Sequence, residues 1–158
     1  MCVSKVYVNG NHVPCRKCWE CALHRQNEWI FRIKQEIKHA KNAWFMTYQY
    51  NETNVPILLP KLDQQTGELI YQEKRGIQNA TSSDFIRTLR YKDMQDYFKR
   101  LRKHHPSIRY YAVGEYGEKF TKRPHYHAIV ISDEDTSNRK TPFLRNLQTL
   151  WDTYNDGK

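Results

Sequence analysis

Residues 108–132 read IRYYAVGEYGEKFTKRPHYHAIVIS. Two β-favouring runs, Ile108–Gly114 and His125–Ser132, flank a charged turn over Glu115–Pro124. That pattern predicts an antiparallel hairpin with a basic tip at Lys119, Lys122 and Arg123. The second run opens with the triplet His125-Tyr126-His127. Alternate side chains of a strand share a face, so the two imidazoles point together, about 7 Å apart along the strand, while Tyr126 points the other way into packing. Two histidines converging on one side can hold a divalent metal. A third ligand is then wanted from the adjacent strand. Glu115 is the candidate, because the hairpin returns it beside the histidines; Glu118 is the alternate, since the sequence leaves the register open. An isolated H-x-H triplet is common by chance. Its strand setting, the preceding Pro124 and an acidic residue on the partner strand are what give this one weight.

Working outward, Met94, Tyr97, Phe98 and Leu101 form a helical stripe over about 92–104, with Lys99, Arg100, Arg102 and Lys103 on the other side and Pro106 as the stop. Upstream, residues 44–50, rich in aromatic and β-branched side chains, predict a strand. Ile30, Ile33, Ile37 and Ala40 predict a helix over 24–40. Downstream, Thr141 as cap and Pro142 in the first turn open a last helix with Phe143, Leu147, Leu150, Trp151 and Tyr154 on its apolar face. Residues 52–88, punctuated by Pro56, Pro60, Gly67 and Gly76, predict an insertion loop with room for a hairpin around Gly67. The order α, β, insertion, α, β, β, α predicts an α+β fold, a central antiparallel sheet with flanking helices, as one domain over 1–158. The closing Asn155, Asp156, Gly157 and Lys158 read as a turn, an unusual ending that leads us to expect a chain cut short.

Composition narrows the function. The chain has 158 residues, one domain's worth, and its 39% hydrophobic content argues against wholesale disorder. No run approaches the length of a membrane span, and the first residues lack the apolar stretch of a signal peptide. Lys and Arg number 26 against 17 Asp and Glu, a formal charge of +9, and there are 11 Tyr. A small, basic, tyrosine-rich domain has the footprint of a nucleic-acid binder. Lys99, Arg100, Arg102, Lys103, Lys119, Lys122 and Arg123 are candidate phosphate contacts. Tyr48, Tyr50, Tyr110, Tyr111, Tyr116 and Trp19 are candidate base stackers. His24, His39, His104 and His105 show no partner pattern and read as surface residues.

All four cysteines, Cys2, Cys15, Cys18 and Cys21, lie in the first 21 residues. A disulfide scaffold spreads its cysteines along the chain, whereas these form a local cluster, C-x12-C-x2-C-x2-C, within an irregular segment over 1–23. Four thiolates are the number that a structural tetrahedral zinc site uses. Reduced structural thiols and an iron–sulfur cluster remain as alternatives. A closed four-Cys site leaves no open position for catalysis.

These motifs carry a resemblance. H-x-H on a strand, preceded by a strand ending in Gly114-Glu115-Tyr116-Gly117, resembles the metal motif of the HUH endonuclease superfamily, the replication initiators and relaxases that nick single-stranded DNA. Phe45, Met46, Thr47 and Tyr48 are similar to that family's first motif. With Val13-Pro14-Cys15-Arg16-Lys17-Cys18-Trp19-Glu20-Cys21, with Asn27, Glu28 and Trp29, and with the basic run Phe98–Lys103, the chain resembles the replication initiators of small single-stranded DNA phages, the gokushovirus-like microviruses. The resemblance implies the ferredoxin- or RRM-like Rep fold, and Mg²⁺ or Mn²⁺ on His125, His127 and Glu115. It further implies a tyrosine nucleophile giving a 5′-phosphotyrosine link that starts rolling-circle replication. The implied partners are single-stranded DNA of a viral origin and the host's replication machinery, in the cytoplasm of a bacterial host. The nucleophile belongs on a helix after the second histidine strand, with Lys one turn on. Tyr154 is a weak match because Gly157 follows, and Tyr71–Lys74 and Tyr116–Lys119 fall before or within the hairpin. The nucleophile is therefore expected beyond Lys158. The rival readings are a noncatalytic, zinc-stabilised module that binds single-stranded nucleic acid and, on a poorer motif match, a histidine phosphohydrolase.

Overall fold

A computed structural model describes residues 2–80, 84–117, 123–134 and 142–155, with the side chains of 153–155 outside that description. Glu118, Lys119, Lys122 and Thr141 lie outside the described residues, as does the side chain of Tyr154. The chain divides into two compact units, Met1–Ala40 and Lys41–Lys158.

The first unit holds a small hairpin, β1 (Val6–Val8) and β2 (Asn11–Val13), and a long helix α1 (Trp19–His39). Val8 pairs with Asn11, so the loop is the dipeptide Asn9-Gly10, both at positive φ (46° and 81°). That is the mirror-image turn whose twist suits a two-residue hairpin, and Asn-Gly is its favoured sequence. The segment is thus ordered where an irregular one was expected. α1 starts five residues earlier than its apolar spacing indicated, because Cys18 is extended (φ −68°, ψ 162°) and serves as N-cap. None of the described residues of this unit is buried, the Ile30 and Ile37 stripe included.

The second unit contains β3 (Asn42–Gln49), β4 (Pro56–Leu62), β5 (Leu69–Arg75), a 3-10 turn at Ile77–Asn79 and β6 (Ile86–Arg87). It continues with α2 (Tyr91–His104), β7 (Arg109–Tyr116), β8 (Pro124–Ser132) and α3 (Pro142–Asn155). The class is α+β, with the main antiparallel sheet in the order β3-β8-β7. Its pleat sorts the side chains cleanly. Tyr48, Tyr126, Ala128 and Val130 are buried on one face with Met94, Tyr97, Phe98 and Leu101 of α2 and Phe143, Leu147 and Trp151 of α3. Each such large apolar side chain contributes about 1.5–3 kcal/mol on burial. Both described helices of this unit cover that face.

Polar atoms inside this core are paired. Tyr97 donates to the Leu147 carbonyl at 2.8 Å, and the Tyr48 hydroxyl lies 3.0 Å from that of Tyr97. Trp151 Nε1 donates to the Gln49 carbonyl at 3.0 Å, tying α3 to the end of β3. His105, expected at the surface, is buried. Its Nδ1 meets the Glu134 carboxylate at 2.8 Å and its Nε2 meets Asn146 at 3.0 Å, so it joins the end of α2 to α3 and to the segment after β8.

Residues 52–88 are an ordered second sheet, β5-β4-β6, where a loop was expected. The hairpin turns at Gly67 (φ 69°), whose N–H donates to the Asp63 carbonyl at 2.9 Å. The prolines that argued for a loop sit where strands tolerate them. Pro56 is the first residue of β4, and β6 pairs only with Ile57 and Leu58, leaving β4 an edge on that side at Pro60. Val55, Ile57 and Leu59 join the core. Asp93 of α2 is fully buried and accepts from Tyr50 at 2.8 Å and from Arg75 of β5, which fastens the second sheet to the helix.

Two substitutions test this frame by urea denaturation. Asp93→Ala leaves Arg75 and the Tyr50 hydroxyl without their acceptor, and should cost about 3 kcal/mol. Gly114→Val places a branched side chain on the covered face, where even a Cβ would meet Leu89 Cδ1 at 2.6 Å and Tyr126 Cε1 at 3.3 Å. It should cost about 2 kcal/mol through overpacking, and wild-type stability in either variant contradicts the packing described.

Candidate functional site

The face of the main sheet opposite the helices carries the candidate site. The register pairs Glu115 directly with His125 and Val113 with His127, while Thr47 of β3 pairs with His127 from the other side. Glu115 was read as the first residue of a turn; it lies on β7, since that strand runs two residues further, to Tyr116. Directly paired residues share a face, so Glu115, His125 and His127 converge. Their ligating atoms all lie within 4.8 Å of one another. His125 Nε2 stands 3.2 Å from His127 Nε2, and His127 Nε2 stands 3.4 Å from Glu115 Oε2.

The ring orientations have visible causes. His125 Nδ1 lies 3.0 Å from the Arg123 carbonyl. A carbonyl only accepts, so Nδ1 carries the proton and Nε2 presents its lone pair to the cluster. His127 Nδ1 lies 3.0 Å from Thr47 Oγ1, which leaves its Nε2 facing the cluster as well. Tyr126, between the two histidines, is held in the core on the opposite face. A small cation fits this donor set. Octahedral ligands at about 2.1 Å stand about 3.0 Å apart along an edge, and two nitrogens with one carboxylate oxygen suit a divalent ion that keeps its other positions for water or phosphate.

The four cysteines form a second cluster within the first unit, their sulfurs also within 4.8 Å of one another. Cys2 Sγ and Cys18 Sγ are 3.7 Å apart, close to the edge of about 3.8 Å that a tetrahedron with 2.3 Å metal–sulfur bonds requires. Arg16 adopts positive φ (62°) between Cys15 and Cys18, and the Lys17 and Cys18 N–H groups both donate to Cys15 Sγ, at 3.4 and 3.3 Å. The Cys15 N–H donates to Cys2 Sγ at 3.3 Å. Backbone donors of this kind favour the thiolate and lower the Cys2 and Cys15 pKa values, whereas desolvation pushes Cys21 up to about 12. Four sulfurs so disposed could hold a metal ion.

Several nucleic-acid candidates sit elsewhere than their residue types indicated. Tyr48 is only 2% exposed and Tyr50 1%, because both fall on the helix-covered phase of the pleat. Burial pushes the Tyr48 hydroxyl up to about 12 and raises Tyr50 and Tyr97 further. Tyr110 stacks on Phe98 at 3.5 Å. Tyr116 shares that phase, and its hydroxyl accepts from the Leu89 N–H at 3.1 Å. Arg123 is committed within the fold, donating to the Tyr50 carbonyl at 2.8 Å and pairing with Glu52 at 3.1 Å. Lys99, Arg100, Arg102 and Lys103 belong to α2, in the layer behind the sheet. Two residues of the open face were missed. Thr47 contacts His127, and Phe45 stacks on its ring at 5.2 Å between centroids; their odd phase on β3 was the available signal.

Among the described residues, no helix is long and apolar enough to cross a membrane. Comparison with known proteins bears on the same strands. The chain is 33% identical over 126 residues to the replication-associated protein ORF2 of Spiroplasma virus 4, a match that covers 79% of this chain and 33% of that relative. The chain thus spans about a third of the length of that curated relative. No solved structure matches it. The family model for the ORF2-type replication-associated protein matches residues 69–155, a segment that includes Glu115, His125 and His127. The chain belongs to this family of ORF2-type replication-associated proteins.

Proposed function

We propose that this chain is the metal-binding endonuclease domain of a phage replication initiator, one that nicks and rejoins single-stranded DNA. The observation that carries the reading is the convergence of Glu115, His125 and His127 on an open sheet face, beside a strand of family-like sequence at Phe45–Tyr48. Glu115, His125 and His127 would hold Mg²⁺ or Mn²⁺. Such an ion supplies positive charge that polarises a phosphodiester and stabilises the charge developing on its oxygens. The Arg123 carbonyl and the Thr47 hydroxyl orient the two imidazoles, the outer contacts that keep ligand nitrogens aimed at one point. The chemistry is a transesterification. A tyrosine oxygen bonds to phosphorus, the bond to the 3′ oxygen breaks, and the 5′ phosphate stays on the protein until the reverse attack restores the diester. Tyr48, Tyr50 and Tyr97 are unsuited to the nucleophile's part, since burial raises their pKa values and they face the core.

We further infer that zinc occupies the four-Cys cluster in a structural role. The reading rests on the sulfur spacing and on a first unit without a single buried residue among those described. Where no hydrophobic core exists, metal binding is the available source of folding free energy.

Two measurements test these readings. Mn²⁺ should raise the melting temperature of the wild type and leave that of a His125→Ala, His127→Ala double variant unmoved. Equal shifts would make the pair a structural hydrogen bond and sink the endonuclease reading. Elemental analysis of purified protein should find about one zinc per chain, lost in Cys15→Ser, Cys18→Ser, with helical signal falling while the second unit keeps its melting transition. Iron with a visible chromophore, or no metal at all, would overturn the zinc assignment.

A further inference from the structure

We infer that Phe45 is the platform on which the base beside the reacting phosphodiester stacks, an inference that rests on the reading of Glu115, His125 and His127 as the phosphate-handling site. β3 is an edge strand, paired to β8 along its whole length. Its alternation sends Trp44, Met46 and Tyr48 toward the helices and Phe45 and Thr47 to the open face. Phe45 is 70% exposed, although it sits in the middle of an ordered eight-residue strand. A lone exposed aromatic needs no explanation, but this one has a place. Its ring lies nearly parallel to that of His127, at 21° and 5.2 Å between centroids. The platform therefore stands within one nucleotide of the candidate ligands. On the opposite flank of His127, its cross-strand partner Val113 is 41% exposed, so the surface beside the cluster is apolar on both sides.

A single-stranded nucleotide matches this surface in each part. Its phosphate suits the cation-binding cluster, its base suits a flat exposed ring beside it, and its charge suits a chain of net +9. Every base has a π-face, so stacking here fixes the position of the strand without reading its sequence. Positioning is what such a reaction requires, because a diester held loosely at the ion rarely meets its nucleophile in line. The face that Tyr48 and Tyr50 fail to serve is thereby served by their neighbour of opposite phase.

The test compares a fluorescein-labelled single-stranded oligonucleotide with one of equal length carrying abasic sites, by anisotropy in Mn²⁺. The wild type should prefer the base-bearing strand by about tenfold. Phe45→Ala should lose that preference and bind both as the wild type binds the abasic strand, while Phe45→Trp should retain it. Because Phe45 is exposed, Phe45→Ala should melt as the wild type does and shift equally with Mn²⁺. A full preference in Phe45→Ala, with its Mn²⁺ shift intact, overturns the platform and leaves the metal reading standing. No Mn²⁺ shift in the wild type removes the metal reading, and the platform with it.

Discussion

The cross-strand pairing of Glu115 with His125 is the constraint on which the rest of the site depends. A strand has a side-chain period of two, so a slip of one residue between β7 and β8 would turn Glu115 away from both imidazoles. What prevents the slip lies on the other face. Tyr126, Ala128 and Val130 of β8 are buried under α2 and α3, and a slip would send all three to solvent. Gly114 contributes through its missing side chain, because Leu89 and Tyr126 occupy the space where a Cβ would stand. The helix-covered face thus sets the register, and the open face inherits its geometry.

That division gives the sheet two chemistries in one strand. The covered face is aromatic, with Tyr48, Tyr97 and Trp151 in mutual contact and their polar atoms directed to each other or to backbone carbonyls. The open face carries titratable and hydrogen-bonding groups with room for a ligand. Rigid supports of this kind are what hold a site in one geometry. The second sheet adds to the support through the buried Asp93 and its contacts with Tyr50 and Arg75. The first unit is built on another principle. With no buried residue among those described, its order centres on four sulfurs, the backbone donors around them and a two-residue turn.

The strands and helices of the second unit were legible because their periodicities are strong, as in the Met94, Tyr97, Phe98 and Leu101 stripe. The metal-ligand candidates were legible because H-x-H on a strand and an acidic residue on its neighbour have few other geometric outcomes. The stacking residues were misread for a physical reason. Tyrosine has an apolar ring and a polar tip, so it serves a core as readily as a nucleic-acid surface, and composition cannot distinguish the two. Residues 52–88 were misread because Pro56 and Pro60 count against a strand unless one knows that the first begins it and the second lies on an open edge. His105 likewise gave no local sign of Glu134 and Asn146, which are 29 and 41 residues away.

The sequence by itself determined the α+β class, the pair of imidazoles on one side of a strand and the clustering of four thiols. Each follows from short-range spacing along the chain. Only the tertiary structure decided that Glu115 stands opposite His125, that Thr47 and Phe45 border His127, and that Tyr48 faces inward. Those facts depend on which residues pair across strands and which face the helices cover, and both are set by packing between segments far apart in the chain.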